Sequence, residues 1–198
     1  MTDTGKDTVV LDAKGLRALA HPVRVQLLGL LRKHGPSTAT RLADQLGVNS
    51  GTASYHLRQL GAAGFVEEDA ERGNARERWW RSVHRTTRFK DVELAEQEPE
   101  ATLAYLQSVA AAYTLRVQRT LNEFQTLPRP WREATDMSDW PLRLTPDESR
   151  SLHEELTSVI SRYRRDAPEA AATAPEGAER VSLITHILPE LDAPAEQE

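Results

Sequence analysis

Residues 49–60 read NSGTASYHLRQL, and their side chains could do one kind of chemistry well. On a helical wheel at about 100° per residue, Ala53, Leu57 and Leu60 share one side. Gly51, Tyr55, Arg58 and Gln59 share the other, with Thr52 and Ser54 at its edges. That polar side offers hydroxyls, an amide, a phenol and a guanidinium, but residues 50–60 contain no acid. A carboxylate there would repel phosphate, so the pattern suits a helix that reads base edges in the major groove of DNA. His56 lies between the two sides. It is open to a phosphate contact or to a half-buried structural role, and no histidine follows at i+3 or i+4 to make a metal pair.

Basic residues recur just downstream. "FVEED" and "RERWWRSV" have strand character, and Gly73-Asn74 between them is a turn signal. Arg72, Asn74, Arg76 and Arg78 are spread around this hairpin, where a wing would meet the neighbouring groove or backbone. Trp79 and Trp80 point to opposite faces, so at least one is expected to pack on the body. Strand character extends toward "HRTTRF".

These residues need elements to hold them. "LDAKGLRALAHPVRVQLLGLLRKHG" reads as two helices separated at His21-Pro22, the second carrying Val23, Leu27, Leu28, Leu30 and Leu31 inward and stopping at Gly35. A short helix over about 38–46 buries Leu42, Ala43 and Leu46. Gly47 then supplies a tight turn, Val48 plugs the angle, and Asn49 or Ser50 caps the next helix. Two helices joined by a short glycine-containing turn make a helix-turn-helix.

The charge distribution agrees with this reading. The chain of 198 residues has a net charge of −5. Residues 12–90 hold 14 Lys and Arg against 7 Asp and Glu, whereas residues 91–198 hold 10 against 21. A basic half points to a polyanion partner, since neutralising phosphates releases counterions. The absence of cysteine excludes disulfides, thiolate metal sites and a cysteine nucleophile. No apolar run is long enough to span a membrane, and "MTDTGKDTVV" lacks a signal-peptide pattern, so a cytoplasmic location is expected. There is no phosphate loop, dinucleotide fingerprint, paired metal-histidine motif or Gly-x-Ser-x-Gly elbow, and no enzyme is expected.

Residues of about 12–89 resemble the winged helix-turn-helix domain of bacterial ArsR-type (arsenical-repressor-like) regulators. "LRALAHPVRVQLLGLL" is similar to that family's opening helices, and "TRLADQLGVNSGTASYHLRQLGAAGFVEED" to its motif running into the wing. The resemblance implies a homodimer that binds a promoter operator in double-stranded DNA, usually to repress. By position it places Ser50, Thr52, Ser54, Tyr55, His56 and Arg58 on DNA from the recognition helix, with Gln59 on the same face. It places Arg72, Asn74, Arg76 and Arg78 there from the wing. Metal-sensing members have cysteines where this chain has Ala43, Asp44 and Gln45, and residues 99–127 contain no histidine, so neither metal nor cofactor is implied.

The expected fold is mostly α with a small β wing: a tail over 1–11, the winged domain over 12–89, and a dimerisation and candidate effector region over 90–198. In the last region a long helix over about 99–127 carries a heptad-like seam that includes Leu103, Leu106, Ala110, Tyr113, Val117 and Phe124. A strand–helix–strand module should follow, with a strand at 142–144, a helix over about 146–165 with Leu152, Leu156, Val159, Ile160 and Tyr163 buried, and a strand over about 180–188. Trp131, Trp140, Tyr105, Tyr113 and Tyr163 could line a pocket for a small-molecule effector, or serve as core or interface. An alternative reading makes the whole chain a winged-helix interaction module that acts through a protein partner.

Overall fold

The structure is a computed structural model that describes residues 8–72, 77–164, 166 and 173–190. The chain forms two compact units, one ending at Pro128 and the other beginning at Arg129. The first therefore extends well past the expected boundary at residue 89.

In the first unit the strand β1 (Thr8–Val10) leads into the helices α1 (Ala13–Leu19) and α2 (Pro22–His34). Asp12 caps α1 by accepting the Gly15 N–H at 2.7 Å, and Pro22 occupies the first turn of α2, where its missing N–H costs nothing. A two-residue strand β2 (Ser37–Thr38) precedes α3 (Ala39–Leu46) and α4 (Ser50–Ala62). Gly47 stands at φ 66°, a left-handed conformation that glycine adopts without steric cost, and its N–H returns to the end of α3. Val48 N–H donates to the Ala43 carbonyl at 3.1 Å, and Asn49 caps α4 by accepting the Thr52 N–H at 2.7 Å.

The core is continuous across these helices. Leu16, Leu27, Leu31, Leu42, Ala53, Leu57, Leu60 and Phe65 are all buried in it. Ala53, Leu57 and Leu60 are wholly inaccessible, so the expected inner side of α4 is its packing side.

After α4 come β3 (Val66–Glu68), β4 (Trp79–Ser82) and β5 (Thr86–Arg88). β4 lies between β2 and β3, antiparallel to both, with Thr38 opposite Trp79 and Val66 opposite Ser82. Trp80 packs inward on α4: a Cβ added at Gly61 would sit 3.3 Å from its ring, so the glycine permits the approach. The turn at Gly73-Asn74 lies outside the described residues. β5 does not extend the wing. It pairs in parallel with β1, Thr8 opposite Thr86, so residues 8–10 of the expected tail are part of the fold.

α5 (Val92–Gln97) and α6 (Pro99–Glu123) complete the unit, with a 3-10 turn at Phe124–Thr126 finishing the long helix. α6 has two apolar faces. Ala101, Tyr105 and Val109 pack on the core, and Tyr105 meets Phe89 edge-on with ring centroids 5.9 Å apart. Leu103 and Leu106 remain 58% and 51% exposed on the other face.

The second unit contains α7 (Arg129–Ala134) and α8 (Pro146–Ser161). A capping box starts α8: the Thr145 hydroxyl accepts the Glu148 N–H, and the Glu148 carboxylate accepts the Thr145 N–H at 2.7 Å. The strand–helix–strand module is not formed. Residues 142–144 and 180–188 carry no ladder, and α8 ends at Ser161 rather than near 165. Nor is its apolar stripe buried, since Leu156, Val159, Ile160 and Tyr163 are exposed. Alternating apolar residues favour a strand only when a sheet face covers them, and a lone pair of short strands is marginal. Here Leu142, Val181 and Leu183 stay open to solvent.

Candidate nucleic-acid interface

α4 presents its polar side as the sequence pattern implies. Ser50, Tyr55, Arg58 and Gln59 are exposed, Thr52 and Ser54 partly so. Tyr55 is 53% exposed although aromatic. The Arg58 Nε donates to the Ser54 carbonyl at 3.2 Å, folding the side chain along its own helix. From Gln45 to Val66 there is no acidic residue, so the helix and both its ends are free of carboxylates in sequence.

His56 is placed differently from its neighbours. It is only 7% exposed and lies in the seam between α4 and the start of α2. Its ring centroid is 4.3 Å from that of His21, whose Nδ1 accepts the Val23 N–H at 3.2 Å and so caps α2. Tyr55 packs edge-on against His56 at 5.3 Å. Burial lowers both imidazole pKa values, and the nearby Arg24 guanidinium lowers them further. Arg24 is held by a bond from Nη2 to the Arg17 carbonyl at 3.2 Å. His56 Nδ1 and Arg24 Nε are buried without a hydrogen-bond partner. His21 and Arg24 belong to the surroundings of α4, and no spacing within 49–60 points to them.

On the wing, the arginines have acidic neighbours. Arg78 pairs with Glu68 at 3.1 Å, Arg81 with Glu67 at 2.8 Å, and Arg72 with Asp69 at 3.7 Å. The hairpin is thus less basic in effect than its arginines suggest. Asn74 and Arg76 lie outside the described residues.

Between α3 and the wing sits Trp79, half-buried. The guanidinium carbons of Arg41 and Arg72 lie over its ring, 5.0 and 6.0 Å from the centroid. An exposed contact of this kind contributes about 0.5–1 kcal/mol. The sequence patterns do not single out Arg41; its position three residues after the α3 cap Thr38 is the available signal.

Behind the interface, Arg32 is structural. Its Nε donates to the His84 carbonyl and its Nη2 to the Thr87 hydroxyl, each at 2.8 Å. Burial brings its pKa down to about 10, so it stays charged at neutral pH.

Residues 19–69 match the family described as a helix-turn-helix domain. The matched range covers α2, α3, α4 and β3, the elements just described. Among solved structures, the chain is similar to a transcriptional regulator from Thermotoga maritima at 14% identity, over 72% of this chain and 78% of that one, with a TM-score of 0.31. Similarity to ZitR from Lactococcus lactis, in its apo form, is 13% over 72% and 82%, with a TM-score of 0.30. AbfR in a disulfide-formed state gives 16% over 70% and 68%, with a TM-score of 0.28. No curated protein matches the chain.

Proposed function

We propose that this protein is a sequence-specific, DNA-binding transcriptional regulator of the ArsR-like winged helix-turn-helix kind, acting in the cytoplasm as a homodimeric repressor. The observation that carries this reading is the outer side of α4. Tyr55, Arg58 and Gln59 project from a helix whose other side is locked into the core, and no carboxylate stands among them. Such a side fits a major groove better than water, because exposed helices normally intersperse acids with bases. The helix-turn-helix match over residues 19–69 supports the reading.

The dimer is supported by α6. Leu103, Leu106 and Ala110 are exposed along the seam, and Tyr113 and Val117 are partly so, while the helix's other face is already used. A second copy would cover that seam and set two α4 helices about 34 Å apart, one turn of duplex. Effector binding, if the protein senses one, falls to the region beyond residue 90. Tyr105 is consumed by the core there, and Trp140 and Tyr163 stand open in the second unit.

Titrating the full-length protein against duplexes that tile its own upstream region, at increasing salt, tests the proposal. Each phosphate contact should add about −0.9 to the log–log slope. Absence of binding to every duplex at low salt would refute it and leave the interaction-module reading.

A further inference from the structure

Resting on the DNA-binding reading, we infer that Arg41, poised over Trp79, is a backbone-phosphate anchor that couples the first helix of the motif to the wing. The placement follows from the strand register. β2 puts Thr38 opposite Trp79, and Thr38 also caps α3 by accepting the Arg41 N–H. The ring that receives the guanidinium is therefore tied by a backbone ladder to the turn that delivers it.

Arg41 differs from the wing arginines in how its charge is used. Arg72, Arg78 and Arg81 each lie beside a carboxylate. Among the described residues no carboxylate pairs with Arg41, and the residue is exposed. Trp79 gathers Arg41 and Arg72 over one indole. Asp69 already offsets the Arg72 charge, so of the two guanidinium groups over the ring it is Arg41 that has no carboxylate beside it. The Arg41 guanidinium carbon lies 5.0 Å from the ring centroid, and the N–H fork of an exposed guanidinium fits phosphate oxygens. In this class of motif the first helix crosses the DNA backbone, so phosphate is the anion within reach. The aromatic ring holds the fork in place before DNA arrives, which lowers the entropy lost on binding.

The test uses the full-length protein and fluorescein-labelled duplexes of about 30 base pairs, long enough for two half-sites. One duplex carries the upstream region of its own gene and the other a scrambled sequence, and anisotropy is followed across salt. Arg41→Gln should weaken both duplexes by the same factor and reduce the slope by about 0.9, with the melting temperature unchanged. Arg41→Lys should recover part of the slope. Trp79→Leu, with Trp79→Phe as the milder variant should leucine disturb β4, should weaken binding even though Arg41 is present. Combined with Arg41→Gln it should add little. An unchanged slope in Arg41→Gln, with wild type binding normally, overturns the anchor and leaves the DNA reading standing. Fully additive losses overturn the role of the ring. Failure of wild type to bind either duplex at low salt overturns both readings.

Discussion

The imidazoles of His21 and His56 lie with centroids 4.3 Å apart and planes tilted by 42°, joining the cap of α2 to the middle of α4. Neither ring has a carboxylate among the groups that shift it; after burial, Arg24 lowers the pKa of His21, and His21 and then Arg24 lower that of His56. Protonating either ring is therefore less favourable in the folded chain than in the unfolded one.

This predicts an acid-sensitive seam. Both folded-state pKa values are below the ordinary value of 6.5, so under mild acid the unfolded chain binds more protons than the folded one. Stability contributed by the neutral pair is complete above pH 6.5 and falls as the pH drops from there toward the folded values. Melting temperatures recorded from about pH 7.5 to about pH 5.5 should decline, and His56→Gln should flatten that decline. An equal decline in the variant would remove the pair from the explanation.

Arg58→Ala should relax base preference, losing about 1–3 kcal/mol on the preferred duplex if the contact is to guanine and little on others. The side chain must first leave the Ser54 carbonyl, a weak local bond that DNA can replace. Competition of specific against scrambled duplex measures the effect. A variant that keeps the wild-type preference ratio would take Arg58 out of base readout.

Glu68→Gln should tighten DNA binding about two- to fivefold at low salt. The Arg78–Glu68 pair is exposed on both sides, and such pairs contribute about 0–1 kcal/mol, so little stability is lost. What changes is that Arg78 becomes available and a repelling carboxylate disappears. Arg78→Ala should do the opposite, weakening all duplexes alike. Weaker binding by Glu68→Gln would show that the acid positions the wing rather than restrains it.

The two faces of α6 should separate assembly from folding. Leu103→Glu with Leu106→Glu should yield a monomer by sedimentation that still folds, because both positions are open in the single chain. Tyr105→Ala should destabilise the unit by about 3–5 kcal/mol, as for other large buried aromatics. If the glutamate variant sediments as wild type does, the seam is not the contact between copies.

Much of the first unit was legible in the sequence, for local reasons. A 3.6-residue apolar period marked the inner side of α4. Asn49 and the left-handed Gly47 and Gly64 marked where its turn begins and where it ends. Each of these signals acts within a few residues along the chain, and the missing acids between Gln45 and Val66 need no fold to be seen. The same local logic misled beyond residue 140. Alternation at 142–144 and 180–188 signals a strand, yet a ladder also needs a partner and a covering face, which no short segment specifies.

The amino-acid sequence by itself determined the helix-turn-helix, its capped second helix and the polar side that helix offers. Only the tertiary structure decided what surrounds that side: His56 turned inward onto His21, Arg41 over Trp79, Arg78 beside Glu68, and β1 beside β5, whose Thr8 and Thr86 hydroxyls bond at 2.7 Å across 78 residues. The physical reason is range. Helix periods and caps are settled within one or two turns, whereas ring stacking, ion pairing and strand register depend on which distant segments the packed core brings together.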